Sequence, residues 1–476
     1  MAKETKTKST GQKLADKLFF NLKNSWEEID TKTEKEVEEF AHAYKQFLDR
    51  GKTERECIEA ACELLEKHGF KDIDSLKDRK FKAGMKIYQN IRGKSLLAAI
   101  IGKKPAVEGF NILGAHVDSP RLDLKQNPLY EDSDLALLDT HYYGGIKKYQ
   151  WTTIPLAMHG VFINENGKKT NIRIGEEPGD PVFTITDLLP HLAKEQMEKK
   201  ASEAVEAENL DILIGSRPYN DKDVKEKVKL GILSLLHTQY GITEKDFASA
   251  EIEFVPAFKA SDIGLDRSMI GAYGQDDRCC VFPAIKAFTA LAGAKSAAEK
   301  TVICYLSDKE ETGSAGNTGA RSSNFENFLA MLGGSEEDLR LCYSRSSMMS
   351  ADVNAAFDPT YAGVFDKKNA SYIGKGIALS KYTGSGGKYG GSDANAEYCA
   401  KVQAILSRNN VQWQFGALGK VDKGGGGTIA LFAANLGIEV LDCGVPVLSM
   451  HSPFEVISKI DLYTTYRGYI AFLLNA

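Results

Sequence analysis

Five short segments carrying His, Asp or Glu constrain this chain more than any other feature. The first lies near residue 116 and the last near 451, and they make chemical sense only if they meet. Gly114-Ala115-His116-Val117-Asp118 follows an apolar run. An imidazole there can ligate a metal through one ring nitrogen while a carboxylate orients it through the other. Gln275-Asp276-Asp277-Arg278 precedes a helical pattern, where a carboxylate either bridges cations or caps the helix. Glu310-Glu311 follow the very apolar run 301–306. Adjacent carboxylates repel unless cations or a shared proton relieve them, and one can ligate while the other acts as general base. Asp352 and His451 complete the set. Each segment alone has an ordinary reading as a turn, cap or acidic loop. Together they supply ligands for two divalent cations if Asp276 bridges. A nitrogen and oxygen donor set without thiolate suits Zn²⁺, Mn²⁺ or Co²⁺ in a catalytic site.

The need for these segments to converge decides the domain plan. Apolar positions Val37, Phe40, Ala41, Tyr44, Phe47 and Leu48 recur at helical spacing, and a second helix is predicted over 54–67. A strand-like stretch at 86–93 and short apolar runs at 95–102, 110–115, 301–307, 411–415 and 438–443 read as strands of a buried sheet. Helical patterns at 283–291, 394–406, 428–436 and 457–474 alternate with the later runs, which predicts a layered α/β domain. Residues 120–266 instead show Gly-rich turns, short alternating segments and a charged stretch at 194–203, read as a solvated face. The chain is therefore expected to form one discontinuous domain, 1–118 with 267–476, interrupted by a smaller β-rich insertion, 119–266.

Composition narrows the function. The 476 residues carry 60 Lys and Arg against 65 Asp and Glu, a net charge of -5, which gives no general attraction to nucleic acid. No apolar run reaches membrane-spanning length and no secretory leader is recognisable, so no membrane partner is expected. Eight cysteines without a CxxC pair read as reduced core thiols of a cytoplasmic protein. The G-x-S-x-G elbow of serine hydrolases and the HExxH of zincins are absent. The run Asp422 to Thr428 is Gly-rich but lacks the P-loop order, so backbone approach to a substrate is the better reading.

The joint pattern resembles the M18 metallo-aminopeptidases, which include aspartyl aminopeptidase and vacuolar aminopeptidase I. The resemblance rests on Gly114-Ala-His-Val-Asp-Ser-Pro, Gln275-Asp-Asp, Glu310-Glu-Thr-Gly-Ser, Ser350-Ala-Asp and Leu448-Ser-Met-His-Ser. It extends to Tyr143-Gly-Gly, Trp151 and Leu188-Leu-Pro-His-Leu-Ala in the insertion. It implies a three-layer α/β/α metallopeptidase domain interrupted by a β-rich dimerisation domain. It also implies two metal ions, most simply zinc, with His116, Asp276 and Asp352 holding one and Asp276, Glu311 and His451 the other. Glu310 would be the general base and acid toward a metal-bridging hydroxide, and Asp118 would orient His116. The substrates would be peptides with a free N-terminus, and the assembly a homo-oligomer of dimers, up to a tetrahedral dodecamer. The family usually has Asp-Asn where this chain has Asp276-Asp277.

Two further residues are candidates for substrate binding. Aspartyl members carry a Lys after an apolar strand, and Lys381 is the nearest equivalent. The stretch is one residue longer here, so direct register places Ser380 at that position. His191 is a candidate for reaching a neighbouring subunit's site. Acidic and neutral N-terminal preferences both remain open. A dinuclear carboxypeptidase or deacylase, or a non-catalytic metal-stabilised assembly, would use similar ligands.

Overall fold

The structure, a computed structural model, describes residues 8–77, 80–294 and 297–476. Side-chain alternation on the central strands divides its main interior into two cores. On the strand Asn111–His116, Ile112 packs with Ile303, Tyr305 and Met348. Leu113 and Ala115 face the other way, with Cys304, Leu306 and Met349. The second of these cores is covered by helices Thr31–Arg50, Glu54–Lys67, Gln275–Ala292, Ala396–Arg408 and Lys459–Asn475. The first is covered by Asn324–Gly333, Glu336–Arg345 and Ala430–Asn435. This is the expected three-layer α/β/α arrangement.

The separating sheet has nine strands, in the order Lys71–Asp72, Lys86–Ile91, Ser95–Ile100, Val302–Ser307, Asn111–His116, Ser347–Ala351, Glu439–Gly444, Ile377–Ser380 and Trp413–Phe415. Its four central strands, from Val302–Ser307 to Glu439–Gly444, are parallel. Their carboxyl ends therefore lie along one edge, where α/β sheets build their sites. A separate five-stranded sheet contains Met269–Ala272, Pro446–Leu448 and Glu455–Ser458.

Six antiparallel strands, all drawn from Arg121 to Pro256, form another sheet with its own core around Trp151, Leu122 and Phe254. This segment also contains the helix Lys227–Tyr240, which the alternating pattern did not reveal. The sheet meets the N-terminal helices through buried charges. Arg121 lies 3.4 Å from Glu54, 3.2 Å from Glu253 and 2.8 Å from Asp123. Lys52 pairs with Glu176 and donates to the carbonyls of Pro256 and Phe258.

The helix predicted to start at Pro283 begins at Gln275, with Asp276 and Asp277 in non-helical conformations at its mouth. Pro283 sits inside it and forfeits one backbone hydrogen bond. All eight cysteines are buried and free. Among the described residues no helix is long and apolar enough to cross a membrane.

Candidate metal centre

Each candidate ligand is carried to one place by a strand end or a tight turn. His116 ends its strand, Asp352 follows Ser347–Ala351, and Glu310-Glu311 form a single 3-10 turn beyond Val302–Ser307. Gly274 turns the chain from Met269–Ala272 into Asp276. Its φ is +73°, and a Cβ there would strike the Arg278 guanidinium. His451 lies between the strands Pro446–Leu448 and Glu455–Ser458.

Asp276 is the centre of the arrangement. Its Oδ1 lies 3.0 Å from His116 Nε2 and its Oδ2 lies 3.4 Å from His451 Nε2. Asp352 Oδ1 is 3.7 Å from His116 Nε2, and Glu311 Oε2 is 3.4 Å from His451 Nε2. Two candidate ligand groups meet at Asp276, His116 with Asp276, Asp277 and Asp352, and Asp276 with Glu311 and His451, and a third, Asp277 with Cys279 and Cys280, lies beside them. Both rings are oriented for ligation. His116 Nδ1 faces the Asp118 carbonyl at 3.0 Å, and His451 Nδ1 donates to the Gly145 carbonyl at 3.0 Å, leaving each Nε2 toward the carboxylates.

The charges do not balance within the chain. Burial, with Asp352 beside it, pushes Glu310 up to about 8. Burial and Asp276 raise Glu311 well above the carboxylate range. Burial likewise raises Asp352. Burial opposes charge on His451, but Asp276 and Glu311 outweigh it and raise the ring to about 10. Burial also works against ionised Asp276, yet the two histidines hold it well below its usual range. The buried Glu311 Oε1 and Asp277 Oδ1 have no hydrogen-bond partner among the described residues. Carboxylates crowded this way are relieved by cations, and the histidine and carboxylate donors suit zinc. These residues fit a metal centre.

A cleft of about 520 Å³ opens over the cluster. It is lined by Asp276, Glu310, Glu311, Asp352 and His451, and roofed in part by Gly424 to Gly427. The Gly-rich run thus contributes backbone to the cleft. Ser380 lines the cleft and Lys381 does not. Lys381 Nζ is 2.6 Å from Asp393 and donates to the Ala394 carbonyl. The strand Ile377–Ser380 ends at Ser380, and Lys381 follows it facing Asp393. His191 is exposed on the antiparallel unit and lies outside the cleft.

Sequence reasoning missed two partners of the ligands. Glu455 is buried and accepts the backbone N–H of His451 at 2.8 Å and of Asp276 at 3.2 Å, tying the two ligand turns together. Its signal was a carboxylate four residues after His451. Tyr143 donates to Asp118 Oδ2 at 2.7 Å. It was visible only as part of a Tyr-Gly-Gly motif without an assigned role.

Comparison with known proteins gives the family. The family profile of the aminopeptidase I zinc metalloproteases, M18, matches residues 47–473. A probable M18 family aminopeptidase 1 of Clostridium acetobutylicum is 52% identical over 465 residues, covering 96% of this chain and 99% of the relative. The crystal structure of aminopeptidase I from Clostridium acetobutylicum matches with a TM-score of 0.90 at 49% identity, over 96% of this chain and 100% of that one. An M18 aminopeptidase structure from Thermotoga maritima matches at 0.91 and 44% identity, with the same coverage.

Proposed function

From the premise that this chain belongs to the M18 family of zinc metallo-aminopeptidases, we propose that it removes single N-terminal residues from peptides at a centre of two cations bridged by Asp276. The observation that carries this reading is Asp276 itself, which presents one oxygen to each histidine. His116, Asp276 and Asp352 would hold one cation, and Asp276, Glu311 and His451 the other, zinc being the simplest occupant. When bound, such ions acidify water and polarise a peptide carbonyl.

The chain's own groups do the rest. Glu310 faces the cleft and is left free by its neighbour to take a proton from the attacking water on its carboxylate, then to deliver it to the leaving nitrogen. Asp118 holds the Glu310 and Glu311 backbone N–H groups at 3.1 and 3.2 Å and fixes His116.

A neutral N-terminal side chain fits the cleft better than an acidic one. The two lysines that line it are engaged elsewhere, Lys388 with Asp393 and Lys420 with the Gly363 carbonyl. Ser380 and Asn354 hydrogen-bond each other at 2.8 Å, beside Val353 and Ala355. The antiparallel unit, 119–266, is read as the dimerisation domain of a homo-oligomer. Its exposed Leu188, Leu189, Leu192 and Met197 support a covered surface there. Eight reduced thiols support a cytoplasmic location.

The test is a panel of unblocked and acetylated peptides assayed with the wild type and Glu310→Gln. Release of neutral residues from unblocked peptides only is expected, with turnover about 10²- to 10⁴-fold lower in the variant and its zinc retained. Cleavage of acetylated peptides, or near wild-type turnover in the variant, would contradict it.

A further inference from the structure

The segment Tyr143-Gly144-Gly145 leaves the antiparallel sheet at the end of the strand Leu135–Tyr143 and touches both halves of the ligand set. On one side, the Tyr143 hydroxyl donates to Asp118 Oδ2 at 2.7 Å. Asp118 is fully buried, accepts the backbone N–H groups of Glu310 and Glu311, and lies 3.4 Å from His116 Nδ1. On the other side, the Gly145 carbonyl accepts His451 Nδ1–H at 3.0 Å.

The two glycines fit this approach. A Cβ at Gly145 would come within 3.2 Å of His451 Nδ1. At Gly144, where φ is +75°, it would lie 3.4 Å from Glu311 Cβ. Tyr143 is itself anchored, because the Arg121 guanidinium lies 4.0 Å over its ring and is held by Glu54, Glu253 and Asp123.

We propose that Tyr143 and Gly145 are positioning groups through which the antiparallel sheet sets the geometry of both halves of the metal centre. Tyr143 acts by fixing the Asp118 carboxylate, and with it His116 and the Glu310-Glu311 turn. Gly145 acts by fixing the ring orientation and tautomer of His451. Tyr143 lies outside the cleft lining and Gly145 borders it, and both act here through the ligands they hold. The inference rests on the two-cation reading given above.

Outer partners of metal ligands typically change affinity or activity 10- to 100-fold when removed. The test therefore uses the full chain, as wild type, Tyr143→Phe and Gly145→Ala, each loaded with zinc. Bound zinc, the rate of zinc transfer to a chromophoric chelator, kcat, KM and the melting temperature of the chelator-stripped protein are measured. The phenylalanine keeps the ring under Arg121, so the stripped protein is expected to melt as wild type does. Zinc release is expected to quicken about 10- to 100-fold in Tyr143→Phe, which removes a partner, and in Gly145→Ala, which keeps the carbonyl but sets a Cβ 3.2 Å from His451 Nδ1, and kcat to fall by a similar factor while KM moves less than about threefold. Variants that release zinc and turn over within about twofold of wild type would overturn the inference. So would losses that merely track a lower melting temperature of the stripped protein. If Tyr143→Phe does not fold, Gly145→Ala decides by the same criteria. A wild type that binds no zinc would overturn the metal reading, and this inference with it. A wild type that binds two equivalents beside indistinguishable variants would overturn this inference alone.

Discussion

Two regions of this molecule bury many charges, and they differ in how those charges are answered. At the junction between the antiparallel sheet and the N-terminal helices, acids and bases are matched except at Glu253, which burial and Glu54 push toward its neutral form. Glu54, Glu253 and Asp123 surround Arg121, with Lys94 3.6 Å from Glu54. Lys52 meets Glu176, and His159 lies 2.8 Å from Glu56. At the ends of the parallel strands, Asp118, Asp276, Asp277, Glu310, Glu311, Asp352 and Glu455 gather around His116 and His451, with Arg121 acting on Asp118 from the neighbouring network. Burying charge is costly unless it is paired, so matched charges serve architecture and unmatched ones need a cation. The difference sets a paired network apart from a cluster of donors suited to cations.

Breaking a matched pair should damage folding and leave the metal centre intact. Lys52→Met removes one of the two cations on the buried Glu176 carboxylate, leaving Arg173 on its other oxygen, and is expected to cost about 1–3 kcal/mol of unfolding free energy. Chemical denaturation measures that loss. Zinc content of the folded protein should be unchanged, and a drop in zinc at constant stability would dissolve the distinction between the regions.

A smaller effect is expected from Glu253→Gln. Burial, with Glu54 alongside and despite Arg121, raises the Glu253 carboxyl well above its ordinary value. A raised folded-state value means that its contribution is complete below the unfolded carboxylate range and is lost as pH rises toward the folded value. The glutamine cannot ionise and escapes that loss. The stability of wild type relative to the variant should therefore fall steadily as pH rises above about 4.5. Below about pH 4.5, where the carboxyl is protonated folded and unfolded, the two should lie within about 1 kcal/mol. Denaturation curves over a pH series check the sign, and a difference that grows in favour of wild type with rising pH would contradict it.

Much of the site was legible because metal ligands must sit where chain direction is fixed. The apolar runs before His116 and Glu310 marked strand ends and the helix Glu54–Lys67 fell where it was expected, whereas the strand Ser347–Ala351 before Asp352 was not read from the sequence. What stayed hidden depends on contacts between segments distant in sequence. Tyr143 reaches Asp118 from the far end of a hairpin, and the Gly145 carbonyl, which meets His451, leaves no side-chain signal at all. Helix Lys227–Tyr240 was masked because its apolar residues do not gather on one narrow stripe, and most are only partly buried. Ser380 ends a strand and Lys381 follows it, so a single register decides which of them faces the cleft.

The central claim is that the unmatched carboxylates hold two cations across Asp276. The most direct measurement is the number of zinc ions bound per chain when the chelator-stripped protein is titrated with zinc and turnover is followed in parallel. Two equivalents are expected, with peptidase activity returning as the centre fills. Saturation at one equivalent with full activity, or full activity without metal, would contradict the account.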